Sequence, residues 1–200
     1  MWGLSNGVFV LAIAGAVWFS MAASVAEPVP GWTWTLIELA ILAGVGLVAW
    51  GGVRVRRTAG GFSLHDLEHA SPAARARAHR IQVGFRWVAL LEWALVGLSF
   101  FLCHSFHRDD LRWAGLALAV SLHFLPLARL VRVQPYYWTA ATGSILSLAA
   151  LVVPHAALSE QVRTTLVGLG MGAVVWITAA YVTLRADRVG RVWDDAGEPA

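Results

Sequence analysis

Apolar runs of about 20 residues, separated by short polar breaks, recur along the whole chain; that length crosses roughly 30 Å of hydrocarbon as a helix. Six runs predict six helices, over about 2–23, 32–52, 83–103, 110–132, 134–153 and 162–184. Glu27-Pro28-Val29-Pro30 breaks the chain after the first. Trp32, Trp34 and Trp50 bracket the second, and Tyr136, Tyr137 and Trp138 open the fifth, where aromatic rings prefer the headgroup level. The expectation is an all-α polytopic membrane helix bundle of six transmembrane helices over 1–184, with a short polar tail over 185–200.

The one long polar connection, 53–86, falls between helices 2 and 3. Gly60-Gly61 breaks it, Ser63 with Asp66 fits a capping box, and Ser71-Pro72 places a capping serine before a proline at a first helical position. A short amphipathic cytoplasmic helical hairpin follows, its second arm running into the third span. The first run has a rival reading. Ser24-Val25-Ala26 resembles a signal-peptide cleavage site, but no Lys or Arg precedes the run, which favours a retained helix.

Composition sharpens this picture. The chain is 58% hydrophobic and 14% charged, against about 45–50% and about 25% in soluble domains. All fifteen basic residues are Arg, and most of them flank the spans. Twelve of them fall on one side: Arg54, Arg56, Arg57, Arg75, Arg77, Arg80 and Arg86, then Arg129 and Arg132, then three in the tail. Arg108, Arg112 and Arg163 fall on the other. The positive-inside rule then places both termini in the cytoplasm of a bacterial plasma (inner) membrane. The expected partners are the bilayer itself, with anionic headgroups met by Arg54, Arg56, Arg57, Arg75, Arg77 and Arg80, and a membrane protein or second copy; nucleic acid is not expected. Cys103 is the single cysteine, no nucleotide-binding glycine motif is present, and no cofactor is expected.

Three ionisable side chains sit at membrane depth: Glu38, Glu92 and His123. Each is costly against lipid, so the three are expected to face inward as a polar cluster. Spans three and four are joined by a short loop, which lets Glu92 and His123 meet at mid-depth. The pair reads first as an interhelical clamp and second as a proton-handling or solute-binding site. Pro126, three residues after His123, removes a backbone donor and predicts a kink.

Two weaker metal patterns are present. His104 and His107, beside Asp109 and Asp110, have i, i+3 spacing. His65-Asp66-Leu67-Glu68-His69 matches the H-x-x-E-H zinc motif of inverzincin peptidases over five residues, but that fold needs a large soluble body and a further acidic ligand. A capped, solvated turn is the simpler reading. Over about 82–154, His123, Phe124, Pro126, Leu127 and Ala128 form an H-F-x-P-L-A stretch that resembles uncharacterised bacterial six-helix integral membrane proteins. The resemblance implies a six-helix fold and brings no mechanism. The expected function is that of an integral membrane protein with a structural or partner-holding role. A small-solute or proton-coupled transporter using Glu92 and His123 is the alternative, and a membrane-embedded metal enzyme comes third.

Overall fold

The computed structural model describes residues 2–25, 35, 38, 39, 41–46, 50, 51, 53, 54, 72–154 and 157–185. Among these residues all regular structure is helical. The long helices are α1 (Trp2–Val25), α2 (Pro72–Ser105), α3 (Arg112–Val131), α4 (Pro135–Val152) and α5 (Glu160–Leu184), with a 3-10 turn at Asp109–Leu111 leading into α3. The described residues between 35 and 54 are helical as well, apart from the gaps between them. His65, Glu68 and His69, Arg56 and Arg57, the first arm of the expected hairpin and the tail beyond Arg185 lie outside the described residues.

Local chemistry sets the helix ends. Ser159 accepts a hydrogen bond from the Val162 amide at 3.3 Å and caps α5. Pro135 opens α4, where its missing N–H is not needed. Arg132 closes α3 in the left-handed region, at φ 54°. The α3 helix continues through Pro126, whose ring nitrogen offers no hydrogen to the Leu122 carbonyl.

The 34 residues of α2 would extend about 51 Å, well beyond the roughly 30 Å of a hydrocarbon core. No proline interrupts it after Pro72, so the arm bearing Arg75, Arg80 and Arg86 is continuous with the third apolar run. Three stretches are long and apolar enough to cross a membrane: His79–Ser105, Asp109–Val131 and Glu160–Leu184. The six-span expectation is therefore met in three places among the described residues. The α4 helix has 18 residues, but Pro135, Tyr136, Tyr137, Trp138 and Thr139 dilute its first half. Its first turns thus have the character of an interface segment. In α1, Val10–Val25 forms a shorter apolar helix.

Among the described residues, the α3, α4 and α5 helices pack against one another, α1 lies along α5, and α2 packs mainly against α3. Small residues allow the close approaches. Ala117, Ala128, Ala140, Val167 and Met171 are all buried where α3, α4 and α5 meet. A Cβ at Gly168 would collide with the Trp18 carbonyl and Ala22 of α1, and one at Gly172 with the Phe19 ring. Trp176 of α5 fills the hollows at Gly15 of α1 and at Gly44, and its indole nitrogen donates to the Ala12 carbonyl at 3.3 Å.

Polarity is inverted relative to a water-soluble protein. Ile145 and Ile177 are each 69% exposed, while Ser121, Ser147 and Thr183 are fully buried. Most of the buried hydroxyls are satisfied inside the bundle, those of Ser99 and Thr165 being the exceptions among the described residues. Thr139 and Thr178 join α4 to α5 at 2.5 Å, and Ser121, Ser147 and Thr183 each donate to a carbonyl four residues back. Serine and threonine commonly occupy such positions in membrane helices because the backbone is the nearest acceptor.

Candidate functional site

Two groups of ionisable residues stand out in the bundle. The first joins α2 to α3. The residues of α2 that face α3 recur at helical spacing: Phe85, Val88, Glu92, Ser99 and Cys103 are each partly buried. Glu92 lies midway along the apolar stretch His79–Ser105. Its Oε1 is 3.7 Å from Nδ1 of His123, with side-chain exposures of 36% and 12%. The same Nδ1 lies 2.6 Å from the Val120 carbonyl, one turn back on α3. A ring nitrogen that meets a carbonyl oxygen carries the hydrogen, so the neutral imidazole keeps Nε2 as its acceptor. At 3.7 Å the carboxylate makes an electrostatic contact, not a hydrogen bond. The Phe124 ring beside His123, with centroids 4.5 Å apart, and Tyr136 edge-on to Phe124 at 5.6 Å further fix the surroundings of the imidazole.

Glu38 does not complete a three-residue cluster with this pair. It is exposed, and no contact joins it to Glu92 or His123 among the described residues. Gly44 and Gly51 face Trp176 and Thr183 of α5, whereas Glu38 and its neighbour Leu39 are exposed.

The second group was not singled out by sequence reasoning. Arg163, in the first turn of α5, is 1% exposed. Its Nη1 donates to Asp110 Oδ2 at 3.0 Å and its Nη2 to the Val153 carbonyl at 3.0 Å. Asp110 also receives Arg108 Nε on Oδ1 at 3.0 Å, and Arg108 Nη2 reaches Oδ2 at 3.3 Å. One carboxylate thus holds two guanidiniums, and Arg163 occupies a carbonyl left open at the end of α4. The hydrogen bond to Asp110 holds Arg108, outside the spans, further above its ordinary value. Arg163 Nε is buried and has no partner. The sequence did contain a signal: spans four and six run in the same direction, and each opens with a charge of opposite sign at the same level.

His104 and His107 are exposed, and His107 takes a left-handed backbone at φ 53°. Among the described residues no three His, Cys, Asp or Glu side chains are arranged to hold a metal ion. No family model, curated protein or solved structure matches this chain.

Proposed function

We propose that this chain is a multi-pass integral membrane protein of six spans, with both termini cytoplasmic in a bacterial plasma membrane, and that its role is structural or partner-holding. The inverted polarity carries this reading: large aliphatic and aromatic side chains face outward on every long helix, and hydroxyls and a guanidinium lie within. Such a surface is stable in hydrocarbon and would aggregate in water. The packing of α1 supports its retention in the mature protein. Leu11, Trp18 and the Ala12 carbonyl all engage the rest of the bundle, and loss of the helix after Ala26 would leave the hollows at Gly168 and Gly172 unfilled. Resistance of the membrane-bound protein to alkaline extraction, with a cysteine-labelling map placing 53–86 inside and 105–112 outside, tests both parts. Release by alkali, or labelling of both loops from one side, contradicts them.

The Glu92–His123 pair acts in this reading as a clamp, holding α2 against α3, its main neighbour among the described residues. A double-mutant cycle of Glu92→Gln and His123→Ala, read by thermal unfolding in detergent, is expected to show coupling of about 1 kcal/mol. Additive losses would show that the pair does not hold the helices. The half-exposed Glu92 carboxyl at mid-depth supports a second reading, proton-coupled transport of a small solute. Proton relay would first require Nδ1 to exchange its bond to Val120 for one to Glu92. Reconstituted vesicles distinguish the two: under the clamp reading, proton flux is at the protein-free level in wild type, and flux abolished by Glu92→Gln favours transport.

A further inference from the structure

The α2 helix has an uncovered side that matches the way this chain packs tryptophan elsewhere. Only 6% of its most apolar stretch is buried, against 44% for each of the other two candidate spans. Trp93 is 74% exposed, one residue from the middle of that stretch. Tryptophan usually sits at the headgroup level, where its N–H finds water; at mid-depth, hydrocarbon offers no acceptor. One turn later, Gly97 has no atom within 4 Å of where a Cβ would stand. Most of the described helical glycines are instead filled from a neighbouring helix, Gly15 and Gly44 by the single ring of Trp176. The Trp176 arrangement shows what such a hollow gives: room for the indole, and a nearby backbone carbonyl, that of Ala12, for its N–H. On α2 the ring and the hollow lie on the same face, so the surface complements itself.

We propose that a second copy of this chain packs on the Leu90–Trp93–Gly97–Phe100 stripe of α2, with each Trp93 ring entering the hollow at the other copy's Gly97. These four residues are exposed and spaced 3, 4 and 3 apart, the a/d pattern in which a knob on one parallel helix fills a hole on its partner. Two-fold symmetry about the membrane normal sets the two helices parallel, as this geometry requires. The stripe lies about 120° around the helix from Glu92 and Ser99, so dimerisation leaves the α3 contact intact. The proposal rests on membrane embedding, since the N–H argument holds only in hydrocarbon.

The test is subunit counting on full-length protein in lipid bilayers across a dilution series, with alkaline extraction of the same membranes read separately. Wild type is expected to form dimers. Gly97→Leu fills the hollow and is expected to weaken association by about tenfold or more, with monomer melting unchanged because the position faces open space. Trp93→Ala should act in the same direction, and Leu91→Ala, on the opposite flank, should have no effect. An embedded protein that stays monomeric at every density, or dimers indifferent to Gly97→Leu, overturns the proposal while leaving the membrane reading standing. So does a different membrane protein that occupies wild type and is displaced by Gly97→Leu. Protein released by alkali overturns the membrane reading itself.

Discussion

The α5 and α2 helices are both long and largely apolar, and each sets one charged residue against the α3 segment, yet the two contacts are enclosed to opposite degrees. On α5, Arg163 is enclosed, hydrogen-bonded to Asp110 and the Val153 carbonyl, and set in a helix packed along α1 and α4. On α2, Glu92 keeps a third of its side chain exposed and meets its partner at 3.7 Å. The contrast is one of enclosure around a polar group, with Arg163 in the first turn of α5 and Glu92 midway along the apolar stretch of α2. Packing density around such a group decides whether its loss is a structural failure or a modest loosening.

The largest effect is expected at the enclosed site. Asp110→Ala leaves a buried guanidinium without its counter-charge and should lower stability by about 3 kcal/mol. Arg163→Met should be less damaging, and combining Asp110→Ala with Arg163→Met should recover part of the single-mutant loss, because the pair's removal also removes the unpaired charge and the unpartnered Nε. Thermal unfolding of the three variants in one detergent reads this directly. If Asp110→Ala is no worse than Glu92→Gln, the two regions do not differ as argued.

Next in size is a pair of glycine substitutions. Gly168→Ala drives a methyl group into the Trp18 carbonyl and Ala22 on α1, and overpacking against backbone should destabilise by about 2 kcal/mol. Gly97→Ala on α2 meets nothing. It should leave the monomer unchanged or slightly more stable, by up to about 1 kcal/mol, through the gain in helix propensity. Equal melting shifts in the two variants would show α2 to be as enclosed as α5.

The sequence made the helical runs legible because their lengths and polar breaks obey one strong constraint, the satisfaction of backbone groups in hydrocarbon. The meeting of α2 with α3 is close to a local question, given the short loop at 106–111. Longer-range relations were harder to read. Which residues of the second run are covered depends on distant neighbours, and the Trp176 that covers Gly44 lies 132 residues away along the chain. The Arg163–Asp110 contact spans 53 residues. Arginine counting treated Arg163 as a loop marker and left Asp110 out, since a count carries no information on burial. The amphipathic signal within each helix is also weak, because in a membrane both the lipid-facing and the inward sides are largely apolar. Small residues such as Gly168 and Ala117 then mark the inner face more reliably than hydrophobicity does.

The smallest predicted effect bears on the α2–α3 contact itself. Ser99 and Cys103 of α2 both face Gly115 at this contact, and the Ser99 hydroxyl is buried without a hydrogen-bond partner. By contrast Ser121, on the other side of α3, donates to the Ala117 carbonyl at 2.7 Å. An unsatisfied buried hydroxyl is a net penalty, and its removal discards the penalty with little loss of packing volume. Ser99→Ala should therefore raise stability by roughly 0.5–1 kcal/mol, whereas Ser121→Ala should lower it by about the same amount. The opposite signs are the informative result, because they do not depend on the detergent chosen. Two losses would show that Ser99 has a bonding partner in the folded protein and that the α2–α3 contact is as well satisfied as the interior of the bundle. Two gains would deny the Ser121 bond any stabilising role, removing the polar difference between the two sides of α3.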